Sequence, residues 1–204
     1  ENENIIRSGF VGIIGAPNAG KSTLLNQVLG QKISITSKKP QTTRDRILGI
    51  VNSPKSQIIF IDTPGIHKST TLLNKRIVAQ AMLALEDVDV VLFMVDASSR
   101  NYSAEKLIIS QFKKTSKIIV LALNKIDLVK KAQIYTLVEE FQQLHDFKAI
   151  IPISAKNNIQ VKNILEEVEG LLAKGPRLFP EETFTDVSEK FMVKEIIREK
   201  VFRL

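Results

Sequence analysis

A chain of 204 residues, 44% hydrophobic and 25% charged, has the composition of a folded globular protein with room for one α/β domain and a short second piece. The absence of cysteine excludes disulfides, thiolate zinc sites and cysteine nucleophiles and fits a reducing cytoplasm; two histidines far apart give no basis for a histidine-rich metal centre, and no apolar run approaches the roughly 20 residues that span a bilayer. A net charge of +7 fits a phosphate-rich partner such as nucleic acid and, equally, a plain solvated basic surface.

Phe10–Ile14 is the first predicted strand, and Lys21–Leu29 follows it as a helix. Ile47–Val51 and Ile58–Asp62 are predicted strands joined by Asn52-Ser53-Pro54-Lys55-Ser56, which is too short for a crossover helix and implies an antiparallel hairpin. From there helices and strands alternate: helix Leu72–Leu85, strand Val90–Asp96, helix Ala104–Lys114, strand Ile118–Asn124, helix Gln133–Leu144, strand Ala149–Ile153 and helix Val161–Leu172. The strands are nearly continuous in Ile and Val, the signature of burial on both faces. The pattern predicts a mostly parallel six-stranded sheet with one antiparallel edge strand and helices on both faces, with ligands at the carboxyl ends of the strands. Gly175-Pro176-Arg177-Leu178-Phe179-Pro180 reads as a linker. Asp186 and Glu189 then open an amphipathic helix, with Val193, Ile196, Ile197, Val201 and Leu204 on one stripe. The expected division is 5–173 for the main domain, 174–185 for the linker and 186–204 for the first helix of a second domain cut short here.

Gly15-Ala16-Pro17-Asn18-Ala19-Gly20-Lys21-Ser22 matches G-x-x-x-x-G-K-[ST], followed by Thr23, between a predicted strand and a predicted helix. Such a loop turns successive N–H groups into one concavity at the positive end of a helix, where a polyphosphate is held. Lys21 would reach the β- and γ-phosphates and Ser22 would offer a hydroxyl to Mg²⁺. The fold class expected is therefore an α/β P-loop NTPase. Asp62-Thr63-Pro64-Gly65, with Ile66 next, closes the third strand: Asp62 is the second candidate for Mg²⁺, and the N–H of Gly65 is the candidate contact to the γ-phosphate. In Gln41-Thr42-Thr43-Arg44-Asp45 one threonine is expected to complete the Mg²⁺ shell, Thr43 in preference to Thr42.

Asn124-Lys125-Ile126-Asp127 ends the fifth strand. A carboxylate at Asp127 accepts from both N1–H and N2–H of guanine, whereas adenine presents a lone pair at N1 and no N2 amine. Asp127 thus selects GTP or GDP and argues against an ATPase. Lys125 can lay its stem over the base, Asn124 can brace the phosphate loop, and Ser154-Ala155-Lys156 offers a backbone donor to guanine O6.

Together these motifs resemble the translation-factor-class GTPases. Gly15–Ser22, Lys32-Ile33-Ser34-Ile35-Thr36-Ser37, Pro40-Gln41-Thr42-Thr43-Arg44 and Asp62-Thr63-Pro64-Gly65-Ile66-His67 resemble the bacterial Era GTPases in particular. Phe179-Pro180 and Glu195-Ile196-Ile197-Arg198-Glu199-Lys200 resemble the segment that opens the α+β, RNA-binding KH domain of that family. The resemblance implies slow, Mg²⁺-dependent GTP hydrolysis in the cytoplasm, coupled to maturation of the small ribosomal subunit. It also implies small-subunit ribosomal RNA and a 30S-type particle as partners through the KH domain, no DNA partner, and a peripheral association with the inner membrane. No GXXG loop follows Gly175; Gly9-Phe10-Val11-Gly12 and Gly12-Ile13-Ile14-Gly15 fit the pattern but fall in the first predicted strand, so this chain alone is expected to bind RNA weakly or not at all.

The resemblance also bears on hydrolysis. Ras-like GTPases place a water-orienting Gln after the glycine of D-x-x-G, and here that place holds the apolar Ile66. Backbone groups, another ion or a partner must then supply the function. Asn18 stands where related GTPases help hold K⁺, and it serves equally well as a turn former. The candidate catalytic set is thus Lys21, Thr43, Gly65 and Asn18, with His67 as base the weaker reading and His145 a surface residue.

Overall fold

In the computed structural model, which describes residues 5–31, 47–62, 85 and 87–185, the chain runs β1 (Ile6–Gly15), α1 (Lys21–Leu29), β2 (Ile47–Asn52), β3 (Ser56–Asp62), β4 (Val90–Asp96), α2 (Ser103–Phe112), β5 (Ile118–Asn124), a 3₁₀ turn (Ile126–Leu128), α3 (Lys131–Leu144), β6 (Ala149–Pro152), α4 (Val161–Leu171) and β7 (Lys174–Gly175). Alternation along the strands gives the sheet two cores. In β4, Val90, Leu92 and Met94 pack with Leu24 and Leu25 of α1 and Ile164 and Val168 of α4 on one face. Val91, Phe93 and Val95 pack with Ile108 and Phe112 of α2 and Leu137 and Phe141 of α3 on the other. Phe93 meets Phe112 edge to face with ring centroids 5.1 Å apart, an arrangement favoured by the ring quadrupoles.

The sheet order is β2-β3-β1-β4-β5-β6. β1 is parallel to β3 and β4, β5 is parallel to β4 and β6, and β2 alone along this path is antiparallel, to β3. β1 therefore lies between β3 and β4, and the chain leaves its carboxyl end at a switch in strand order, the usual place for a ligand in such sheets.

The six-strand path matches the expected one, with a two-residue β7 added antiparallel to the start of β1. β7 is too short to leave any periodic signal. β1 also begins at Ile6 rather than Phe10, because Arg7 and Ser8 pair with β3 and are tied to the end of α4: Arg7 donates to Leu172 O at 2.6 Å, and Ser8 N–H to Ala173 O at 3.0 Å. The two GXXG matches both lie inside β1. The predicted helix Leu72–Leu85 falls outside the described residues except for Leu85, which is helical and buried; the predicted helix in 186–204 falls outside them entirely.

β3 starts earlier than predicted, at two buried polar residues, Ser56 and Gln57. Gln57 is fully buried, and the segment read as a linker explains why. Its Oε1 accepts from the N–H groups of Leu178 and Phe179 at 2.7 and 2.9 Å, and its Nε2 donates to Phe179 O at 2.8 Å and to Asn52 Oδ1 at 2.7 Å. The amide behaves as one more peptide unit of a sheet ladder. Asn52 Nδ2 donates to Glu181 O and Thr183 O, Ile50 N–H to Phe184 O at 2.8 Å, and Thr185 Oγ1 to Leu48 O at 2.7 Å. Residues 176–185 thus run along β3 and β2 as an edge covering. Gln57→Leu removes three hydrogen bonds to this segment, each worth about 1 kcal/mol net. Amide exchange at Leu178 and Phe179 is expected to accelerate roughly a hundredfold while exchange in β4 and β5 stays slow. Unchanged protection at 178 and 179 would show that the segment is held by other contacts.

Candidate functional site

The phosphate loop begins where β1 ends. A Cβ on Gly15 would strike the backbone oxygen of Met94 in β4, so only glycine lets the strand turn there. Asn18 follows with φ 64° and Gly20 with φ 101°, both left-handed. Asparagine tolerates that region through its short polar side chain, and glycine has no Cβ to clash. Gly20 caps α1, and the first turn of α1 carries no acidic side chain, so no carboxylate competes there with an anion for the positive end of the helix. Ala19 is buried and donates its N–H to Ala16 O at 3.2 Å, which closes the loop. Lys21 is 7% exposed, and its Nζ donates to Gly15 O at 3.0 Å and Ala16 O at 3.1 Å. A buried ammonium needs such partners, and these two tie the charge to the loop. Ser22 and Thr23 follow in the first turn of α1, both half-buried. Asp62 closes β3 in register with Ile13 of β1, so the same sheet end carries both the loop and this acid.

Asn124, 2% exposed, closes β5 and joins the two halves of the site. Its Nδ2 donates to Ala19 O at 2.8 Å, across 105 residues of sequence, and its Oδ1 accepts from the N–H of Ala155 at 2.9 Å. The amide reaches the loop because Gly20 has no side chain; a Cβ there would collide with Asn124 Nδ2. Lys125 then adopts φ 67° and begins the 3₁₀ turn that presents Asp127 to solvent. That turn is fastened to the end of β6 by Ile126 N–H to Ile153 O at 3.2 Å. After β6, Ser154 and Ala155 are buried and Lys156 is exposed. Ser154 N–H donates to Ile159 O at 3.1 Å, and the N–H of Ala155 is taken by Asn124. The remaining backbone donor of Ser154-Ala155-Lys156 is the N–H of Lys156.

Gly15, Ala16, Pro17, Asn18, Ala19, Gly20, Lys21, Ser22 and Thr23 therefore form one loop and helix start, joined through Asn124 to the turns carrying Lys125, Asp127, Ser154, Ala155 and Lys156. Thr42, Thr43, Thr63, Pro64, Gly65, Ile66 and His67 lie outside the described residues. His145, expected on the surface, is half-buried at the end of α3, with its ring 4.9 Å from that of Phe147 and 5.9 Å from that of Phe112. Burial lowers its pKa, with the Lys113 charge acting in the same direction and Asp146 opposing.

Three residues beside the base loop were not singled out from the sequence. Asp96, at the end of β4 and in register with Asn124, pairs with Lys125 through Oδ2 and accepts from Ser98 N–H and Oγ through Oδ1. Tyr102 donates to the carbonyls of Asp96 and Ala97; its pKa is pushed up to about 12 by burial, aided by the charges of Asp96, Glu105 and Glu140. Glu105 is 4% exposed, and its Oε2 has no hydrogen-bond partner. Burial first, then the Asp96 charge, raises its carboxyl pKa. A glutamate in the first turn of an amphipathic helix reads as a surface residue, and nothing in its spacing marks it as buried.

A doubly wound sheet with a glycine-lysine-serine loop after its first strand, joined by one asparagine to an N-K-x-D turn, defines a P-loop GTPase. Residues 10–125 match the family described as 50S ribosome-binding GTPase. GTPase Era of Geobacter metallireducens is 48% identical over 203 residues, which span 100% of this chain and 68% of that protein. An Era variant of Aquifex aeolicus bound to GDP and AlF4 superposes with a TM-score of 0.85 at 38% identity, over 96% of this chain and 67% of that one. An Era structure with MgGDPNP and nucleotides 1506–1542 of 16S ribosomal RNA gives the same TM-score, identity and coverage. The chain belongs to the Era family of GTPases.

Proposed function

We propose that this chain is the guanine-nucleotide switch of a small-subunit assembly factor, hydrolysing GTP slowly and with Mg²⁺. In this reading backbone N–H groups of the loop and of the start of α1 cradle the phosphates, excepting Pro17, which has none, and Ala19, which donates to Ala16 O, and Lys21 offsets charge on the β- and γ-oxygens. The oxygen donors Ser22, Thr43 and Asp62 suit Mg²⁺, which prefers hard ligands and keeps several waters and phosphates of its own. When bound, the ion neutralises charge developing on the phosphates. Thr63, Pro64, Gly65 and Ile66 carry the γ-phosphate contact, with Gly65 N–H as donor. Lys125 and Asp127 hold the guanine ring and its N1–N2 edge. In the Ser154-Ala155-Lys156 turn the O6 donor is the N–H of Lys156, since Asn124 occupies that of Ala155. Residues 5–173 form the nucleotide-binding domain, 174–185 the passage along its edge, and 186–204 the first helix of a KH domain.

The observation that carries this reading is the Asn124 bridge, which makes the phosphate loop and the base turn parts of one site. The RNA partner is carried over from the Era relatives, one of which is seen with a segment of 16S ribosomal RNA. The broader family description names the 50S subunit but matches only residues 10–125, whereas the Era relatives match over the whole chain. The cytoplasm is the proposed site of action. No described helix is long and apolar enough to cross a membrane. A peripheral association with the inner membrane is carried over from the family resemblance alone.

Ile66 cannot hold a water, so the structure of Asn18 bears on how hydrolysis proceeds. Its left-handed backbone fits a turn former, and its exposed side chain is equally placed to bind an ion. Phosphate release is expected with GTP and Mg²⁺ but not with ATP, and faster in KCl than in NaCl, with Asn18→Ala removing the salt difference. Equal rates in the two salts would assign Asn18 to the turn alone. Equal turnover of ATP would overturn the functional reading.

A further inference from the structure

We propose that Asp96 is a positioning residue for the purine, one that holds the Lys125 side chain in place before nucleotide arrives. The inference deepens the base-site reading above and rests on it. Asp96 lies 29 positions from Lys125 in sequence, yet β4 and β5 place it opposite Asn124, one residue from Lys125. Its two oxygens divide the work: Oδ2 holds the Lys125 ammonium, and Oδ1 accepts from Ser98 N–H at 2.9 Å and Ser98 Oγ at 2.6 Å.

The support under Asp96 is itself rigid. Ala97 donates its N–H to Asn124 O at 2.8 Å, and the Tyr102 hydroxyl donates to the carbonyls of Asp96 and Ala97 at 3.3 and 3.2 Å. At the other end of the lysine, the left-handed backbone fixes where the side chain departs. A lysine pinned at both ends presents its methylene stem as a fixed apolar surface. A free lysine would lose that freedom only on binding, at the expense of affinity. With side-chain exposures of 29% and 21% the pair is partly buried, so a general loss of stability in its variants is told apart from a loss of base contact by a ligand that has no base. GTP and GDP share the base, so both should gain equally, and the chemical step should not.

The test uses the 204-residue chain and its Asp96→Asn variant, which keeps the shape of the side chain and an acceptor for Ser98 but removes the charge that holds Lys125. GDP and GTP are expected to bind about five- to tenfold more weakly, and KM for GTP to rise with kcat unchanged. Magnesium tripolyphosphate, which occupies the phosphate loop and has no base, is expected to bind both proteins equally. In a Lys125→Met background, which keeps an apolar stem without the ammonium, Asp96→Asn should have no further effect. Tripolyphosphate weakened as much as GTP, or GTP affinity unaltered, would overturn the proposal while leaving the base-site reading intact. A wild-type protein that holds ATP as tightly as GTP would instead fail the base-site reading itself, and the proposal with it.

Discussion

Replacing Asp127 with asparagine is expected to convert a guanine-selective protein into one that prefers xanthine nucleotides. Guanine offers donors at N1 and N2, and a carboxylate accepts from both. An asparagine side chain offers one acceptor and one donor, which matches the N1–H and C2 carbonyl of xanthine and leaves the guanine amine facing another donor. Sites that discriminate by pairing buried polar groups reach about 10⁴-fold, and the ratio of GDP to XDP affinity should move by an amount on that order. The backbone tolerates the change. The turn that carries Asp127 is held by main-chain bonds, Ile126 N–H to Ile153 O and Leu128 N–H to Lys125 O, and the side chain itself is exposed. Stability should therefore shift by no more than about 0.5 kcal/mol, as for other exposed substitutions. Competition between labelled GDP and unlabelled XDP reads the result directly. A variant that keeps the wild-type preference would show that Asp127 does not read the base, and the nucleotide assignment would have to be rebuilt from another residue.

The parts of this molecule that were legible in the sequence share one property: their signal is local. Gly15 to Ser22 must be glycine-rich because the chain turns against Met94, and that requirement is written in consecutive residues. The central strands announce themselves by unbroken Ile, Val and Leu because both of their faces are covered. The parts that were missed depend on partners far along the chain. Gln57 reads as a polar residue before a strand, and its burial becomes intelligible only when Leu178 and Phe179, 121 and 122 residues later, are laid beside it. Ser154-Ala155-Lys156 was legible as a turn of donors, but not which donor is free, because Asn124 claims the N–H of Ala155 from a different strand. A histidine near a helix end, as His145 is, reads as a surface residue. Its ring is instead packed against Phe147 and near Phe112, a contact that needs the end of α2 and the segment after α3 to meet. The segment after Gly175 has the composition of a linker because it supplies chiefly backbone groups to β2 and β3, and backbone groups leave no trace in sequence.

The second large effect follows from the same long-range logic. Asn124→Ala is expected to lower the affinity for GTP and GDP together by more than about a hundredfold and to destabilise the protein by roughly 2–6 kcal/mol. The substitution deletes a side chain that is 2% exposed and leaves two groups without partners, the carbonyl of Ala19 and the N–H of Ala155. Each unsatisfied buried group costs about 1–3 kcal/mol, and a melting temperature lower by on the order of 10 °C is the expected readout for a chain of this size. The affinity loss has a distinct origin. Without the bridge the phosphate loop and the base turn are ordered separately, and the nucleotide must supply the ordering that the amide provided. Gly20→Ala attacks the same bridge from the other side, since its Cβ would occupy the space of Asn124 Nδ2, and it adds strain at a left-handed position. The double variant should therefore lose less than the sum of the two single losses, because the bridge can be broken only once. Strict additivity of the two changes, measured by calorimetry with GDP and by thermal unfolding, would mean that phosphate and base recognition are independent in this protein.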